Sequence, residues 1–171
     1  MSIVKKWTGC VMAFMAGVLG LAMSASSGMV IKTPLGSSTT KAYKVITESE
    51  LMDTAKLLGV KSEFVLMKAF SIITLIIAVL LIAYSIVALL QNLNVIKSSH
   101  IAFDIAGWVL VGLFVISTIA LLVSSNGYAG AMEKVGIPSV KVGLYQPFML
   151  VVSIIAAIVT GIFAFLKRKD A

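Results

Sequence analysis

The sequence predicts an all-α membrane protein, a bundle of four transmembrane helices with a small extracellular β-rich cap and a short extracellular helix. Hydrophobic residues make up 60% of the chain and charged residues 12%, whereas soluble proteins carry about 25% charged residues. The run from Ala69 to Ile96 contains no charge. As a helix it would be roughly 42 Å long, which exceeds the ~30 Å hydrocarbon core of a bilayer, and no side of it is polar enough to face water.

The chain of 171 residues has room for one membrane domain, and four hydrophobic segments divide it. We place the spans at about 7–30, 64–92, 101–123 and 147–166, with outer loops at 31–63 and 124–146. The N-terminal segment also has the layout of a signal peptide, with Lys5 and Lys6 before an apolar stretch and small residues near Ala25. That stretch is longer than the usual 7 to 15 residues. We therefore favour an uncleaved first span over a cleaved peptide that leaves three spans.

Small residues recur at four-residue steps in the first and fourth spans, a pattern that lets membrane helices approach closely. We expect these two helices to pack together within the bundle; a dedicated dimerisation face is the alternative. The predicted helix-packing interface consists of Gly9, Ala13, Gly17, Gly20, Ser153, Ala157 and Gly161.

The outer loops contain signals for regular structure. Two segments with β-branched and aromatic residues, 29–33 and 41–46, flank Pro34 and Gly36, and predict a hairpin. Thr47 and Glu50 have the spacing of a capping box, and Gly59 that of a C-terminal cap, which predicts a short amphipathic helix between them. In the second loop, alternation in SVKVGLY predicts a short strand.

The net charge of +7 comes from basic residues that lie beside the hydrophobic segments, where they determine topology. Lys5, Lys6, Lys97 and the group at 167–169 fall on one side of a four-span protein. We place that side, with both termini, in the cytoplasm and expect the plasma membrane as the location. The expected partners are the lipid bilayer and the protein itself or other membrane proteins, and not nucleic acid.

Asp104 is the one acidic residue within a predicted span, and His100 precedes it by one helical turn. Ionisable groups inside membranes are candidates for function. Together with Tyr84 they form a possible polar site, which with Thr160 would line a path in a small transporter or channel component. We favour an interfacial anchor for Asp104 and His100, since charges at helix ends reach the interface at little cost, and core hydrogen bonding for Tyr84.

Residues for catalysis are scarce. The chain has one histidine and one cysteine, Cys10, so we find no nucleophile with a base, no zinc-binding set and no phosphate-binding loop. We expect no enzyme, no cofactor and no metal. The predicted function is assembly, by self-association or as a subunit of a membrane complex, through the small-residue helix faces and the structured outer loops; the transporter or channel component is the alternative.

This layout of short cytoplasmic termini, four spans, a large first outer loop with strand-like segments and a helix, and a smaller second outer loop resembles the claudin-like tetraspan families. The first outer loop has neither the tryptophan motif nor the two cysteines of those families, so no family residue is transferred. The resemblance implies an outer sheet made from Met29–Thr33, Lys41–Ile46 and Val140–Tyr145, used for lateral or intercellular contacts.

Overall fold

The computed structural model describes the backbone of residues 2–93, 95, 100–137 and 139–169, and the side chains of 7–93, 95, 103, 105–137 and 139–162. Within these ranges the chain is mostly helical. The elements in chain order are α1 (Ser2–Met23), β1 (Ser27–Thr33), β2 (Gly36–Lys41), α2 (Ala42–Thr47), α3 (Ser49–Leu57), α4 (Lys61–Asn92), α5 (His100–Lys134), β3 (Val140–Val142) and α6 (Tyr145–Lys169).

Four long helices form a ring in chain order, since α1 packs against α4 and α6, and α5 packs against the same two helices. Three of them contain stretches long and apolar enough to cross a membrane: Lys61–Asn92, Ile105–Lys134 and Tyr145–Ile162. The described part of α1 contributes a shorter apolar helix, Trp7–Met23. The prediction of a helical, membrane-type chain is thus confirmed in this coarser form.

The surface of the bundle is as apolar as its interior. Leu81 and Phe114 are completely buried in the centre, while Ile76, Ile116 and Ile158 on the outer faces are more than half exposed. Soluble proteins rarely leave contiguous apolar surfaces of this kind in water. The outward side chains therefore match a lipid environment.

The bundle helices differ in length, and the difference positions the rest of the molecule. With 32 and 35 residues, α4 and α5 are about 48 and 52 Å long, while α1 with 22 residues is about 33 Å long. The projecting ends of α4 and α5 are joined by an edge-to-face contact between Phe64 and Tyr128, whose ring centroids lie 5.4 Å apart. These ends carry a cap made of the sheet, α2 and α3.

Two predicted boundaries differ from the structure. Helix α1 ends at Met23 rather than near residue 30, because the apolar residues that follow are buried in a strand instead. Helix α5 continues through Lys134, so that half of the predicted loop 124–146 is helical. Tyr128 and Met132 pack into the cap core, and this burial outweighs the cost of Gly127 and Gly130, about 1 kcal/mol each in a helix.

The cap contains an antiparallel three-stranded sheet in the order β2-β1-β3. Strand β1 confirms the predicted segment 29–33, and β3 confirms the start of the third. The second predicted strand, Lys41–Ile46, was wrong: β1 pairs instead with Gly36–Lys41, and Ala42–Thr47 forms a helix. Ala42 and Val45, three residues apart, are both buried, which is the spacing of a helical face.

The end of α3 explains the need for Gly59. Gly59 has φ +74°, its N–H donates to Lys56 O, and the N–H of Val60 donates to Ala55 O, which together make a Schellman motif. The predicted C-terminal cap is therefore confirmed. The predicted capping box was wrong, since α3 begins after Glu48 without a side-chain cap and Thr47 Oγ1 donates to Tyr43 O.

We expect the Gly59→Ala substitution to lower the free energy of unfolding by about 1–2 kcal/mol, because an alanine side chain is strained in the left-handed region. Gly59→Asn should lose less, since asparagine tolerates this conformation. Gly130→Ala is the control, because an added Cβ there has no neighbour within 4 Å. Thermal unfolding in detergent micelles, followed by circular dichroism, measures all three; equal midpoints for Gly59→Ala and the native chain would contradict the expectation.

Candidate functional site

The small-residue row of α1 faces the inside of the bundle. A Cβ added at Gly17 would lie 2.6 Å from Ala78 O and 2.6 Å from Ile82 Cγ1, both on α4. One added at Gly20 would lie 3.1 Å from Ala78 Cβ and from Met149 Cε of α6. Ala13 is buried in the same core. Gly9 is different, because an added Cβ there meets nothing within 4 Å.

The small-residue row of α6 faces α5. Ser153 Oγ lies 2.8 Å from Thr118 Oγ1, and a Cβ at Gly161 would lie 3.3 Å from the ring of Trp108. Ala157 is partly buried against the bundle core. Helices α1 and α6 are neighbours, as we expected, but their small residues mainly contact α4 and α5. Most of the predicted packing residues are thus used within one copy of the chain.

The predicted polar site is described only in part. Tyr84 of α4 stacks on Phe103 of α5 with ring centroids 4.5 Å apart, and its hydroxyl lies against Gly107, where an added Cβ would collide with it. The side chains of His100 and Asp104 lie outside the described residues, so their role stays a prediction. Thr160 lies on α6, where its Oγ1 is buried and forms no hydrogen bond with the part of the chain that the structure describes.

A row of polar residues on α5 and α6, four of them buried, is a feature of which the sequence reasoning named only Ser153 and Thr160. We call it the polar seam; its members are Thr118 and Ser125 of α5, and Gln146, Ser153 and Thr160 of α6. Within each helix they are seven residues apart. Seven residues are almost two helical turns, so such residues share a face. This spacing, visible in the sequence, would have identified the seam.

One edge of the cap sheet is open. Lys32 N–H donates to Ser139 O on the β3 side, and Gly143 N–H to Gly28 O, so the even-numbered residues of β1 direct their backbone groups to β3. Because backbone groups alternate between the two edges of an antiparallel strand, the odd-numbered residues of β1 pair with β2. The backbone N–H and C=O groups of Ser37 and Thr39, opposite Lys32 and Val30, therefore point away from the sheet.

The outward face of the sheet is basic. Met29 and Val140 are buried on the inner face, and the register places Lys32, Lys41 and Lys141 on the other. In the described part of the chain none of the three forms an ion pair. The cap's acidic residues Glu48 and Asp53 are paired with lysines of the α2–α3 segment; the hydrogen bond to Glu48 raises the pKa of Lys44. Glu50 of α3 is in no ion pair with a described residue, but the three strands contain three lysines and no acidic residue, so the sheet itself is basic.

No cluster for metal or redox chemistry occurs among the described side chains: no three His, Cys, Asp or Glu residues are placed to hold a metal ion. Cys10 is partly buried, and Asn92 Nδ2 lies 3.5 Å from its Sγ. No family model, curated protein or solved structure matches the chain. Function is therefore inferred from the open edge and the basic face of the cap.

Proposed function

We propose that this chain is a non-enzymatic integral membrane protein that assembles with itself or with other membrane subunits through the open β2 edge of its cap. The observation that carries the proposal is the row of outward backbone groups at Ser37 and Thr39. Proteins usually protect such edges with charges, prolines, bulges or covering elements. From Gly36 to Thr40 the strand has no charge and no proline, so an extended partner segment can add to it and satisfy these groups.

The bundle helices offer less for assembly than the cap does. Gly17, Gly20 and Ser153 are occupied by contacts to neighbouring helices of the same chain. The remaining helix surface consists mainly of exposed Ile, Leu and Val side chains, which lipid can cover. This distribution favours the outer loops over the small-residue faces as the assembly surface.

The direction of the strands restricts the orientation of a partner segment that pairs with β2. Strand β1 begins after a turn of residues 24–26 at the end of α1, and β3 leads down through two residues into α6. In our proposal the strands run roughly along the bundle axis, because both connections to the helices are short, and the hairpin tip at Leu35, which is fully exposed, lies far from the bundle. In our proposal four spans cross the plasma membrane, both termini are cytoplasmic and the cap is extracellular, as the basic residues near the span ends favour.

A segment that pairs with β2 would then stand roughly perpendicular to the membrane. The extended chain that leaves a neighbour's own transmembrane span has this direction. The basic outward face beside the edge favours acidic side chains on that segment, because opposite charges on adjacent strands stabilise a pair. The partner of our proposal is therefore a membrane protein beside this one.

The Thr39→Pro substitution tests this edge. Proline removes the outward N–H of residue 39 and none of the β1–β2 hydrogen bonds, and proline is tolerated on edge strands. We expect the native chain to form crosslinked or copurifying assemblies in mild detergent, and Thr39→Pro to lose most of them while its thermal midpoint stays unchanged.

Leu57→Ala provides the matched control, because Leu57 is 88% exposed on another surface of the cap. This variant should assemble like the native chain. Native mass spectrometry measures the oligomeric state and the bound partners of both variants. A native chain that is strictly monomeric without a copurifying partner, or a Thr39→Pro variant that assembles normally, would refute the proposal.

A further inference from the structure

One contact in the polar seam shows which residues of α5 and α6 lie at the same level. Thr118 Oγ1 and Ser153 Oγ lie 2.8 Å apart, and α5 and α6 run in opposite directions. Ser125 is seven residues after Thr118, and Gln146 is seven residues before Ser153. Each of these two residues is therefore about two helical turns closer to the cap and lies on the same face of its helix as the first residue. The register therefore places Ser125 and Gln146 at the same level of the helix pair, two turns beyond the Thr118–Ser153 contact.

The orientation of the Gln146 side chain is determined. Its Nε2 lies 3.0 Å from Gly28 O of β1, and because a carbonyl oxygen only accepts, the amide must present its NH₂ group there. Its Oε1 is then directed elsewhere and has no hydrogen-bond partner among the described residues. Ser125 Oγ is also buried, and no atom in the described part of the chain forms a hydrogen bond with it. Ser125 and Gln146 are 0% and 2% exposed, so bulk water does not satisfy these atoms.

We infer that a water molecule is bound between Ser125 Oγ and Gln146 Oε1. A hydroxyl and an amide oxygen at the same level, each lacking a partner, are the surroundings in which proteins hold buried water. The water donates to Gln146 Oε1 and accepts from the Ser125 hydroxyl. An ion fits the pair less well, because neither group carries a charge.

This site connects three elements. Gly28 belongs to the cap sheet, Gln146 lies in the first turn of α6, and Ser125 lies on α5. The chain of hydrogen bonds from Gly28 through Gln146 and the water to Ser125 thus fastens the cap to both helices. The inference is independent of the proposed assembly function, since it concerns the interior of a single copy.

Substitution of Ser125 by alanine distinguishes a hydrated site from a dry one by the sign of its effect. If water is bound, Ser125→Ala removes a water partner and lowers the thermal midpoint by several degrees. If the site is dry, the same change removes an unsatisfied buried group and leaves the midpoint unchanged or raises it. In a Gln146→Met background, where the water has lost its other partner, Ser125→Ala should have little further effect.

Ser124→Ala is the matched control, because the Ser124 hydroxyl already donates to Leu121 O at 3.1 Å; its effect should be the same in both backgrounds. An experimental structure of the native chain at about 2 Å resolution would show directly whether water is bound at the site. Density within hydrogen-bond distance of both oxygens, about 2.7–3.2 Å, is the expected result. An empty site, a direct Ser125–Gln146 bond, or additive effects of the two substitutions would overturn the inference.

Discussion

The Gly17→Ala substitution is expected to destabilise the bundle by about 1–3 kcal/mol, the range measured for overpacked interiors. The new methyl group would lie 2.6 Å from the carbonyl oxygen of Ala78, and a backbone oxygen cannot rotate away as a side chain can. Helices α1 and α4 must move apart to admit it. Larger residues at position 17 should cost more, and the loss should exceed the gain of up to about 1 kcal/mol that alanine brings to a helix.

Gly9→Ala is the control within the same helix and the same four-residue row. An added Cβ at Gly9 meets nothing within 4 Å, so this variant should be as stable as the native chain or slightly more stable. Reversible unfolding in mixed micelles, followed by tryptophan fluorescence or circular dichroism, gives both free energies. Equal stabilities of Gly17→Ala and Gly9→Ala would show that α1 does not pack closely on α4.

The Gly143→Ala substitution is expected to detach β3 from β1, with a loss of about 3 kcal/mol, the upper part of the same range. An added Cβ would collide with the backbone of Ser27. Gly28 O also accepts hydrogen bonds from both Gly143 N–H and Gln146 Nε2, each at 3.0 Å. Displacing this strand would therefore break the backbone and side-chain contacts that hold the cap on α6.

Hydrogen exchange separates this local effect from a global one. In Gly143→Ala the amides of β1 and β3 should lose protection, while those in the middle of α4 and α5 should keep it. Gly127→Ala serves as the comparison, because its added Cβ has no neighbour within 4 Å. Native protection throughout the cap of Gly143→Ala would rule out the close approach of β3 to β1.

The helices followed from composition and length because an uncharged apolar run of 28 residues, from Ala69 to Ile96, has few alternatives to a helix in a membrane. The ends of the helices could not be predicted in this way, because tertiary contacts determine them. Met29 is apolar enough to extend a first span, yet it is buried in a sheet. Tyr128 follows a glycine that suggests a loop, yet its contact with Phe64 keeps the segment helical.

The cap was predicted only in outline. Strand propensity selected Tyr43 and Val45 for the second strand, but the hairpin uses the polar residues before them, because the two-residue turn at Pro34 and Leu35 fixes the register. The open edge could therefore be identified only from the hydrogen-bond pattern of the sheet. The polar seam was readable in the sequence as a seven-residue spacing, whereas the partners of its oxygens, such as Gly28 for Gln146, required the packed structure.

The unequal helix lengths have a mechanical consequence. Helices α4 and α5 form a rod of about 50 Å, and the cap rests on its far end, whereas the shorter α1 and α6 end at the base of the cap. A rod of this length shifts its tip sideways by roughly 9 Å for every 10° of tilt. Membrane helices respond to bilayer thickness by tilting. If the chain spans a membrane as we propose, the lateral position of the β2 edge would change with the thickness of the surrounding bilayer.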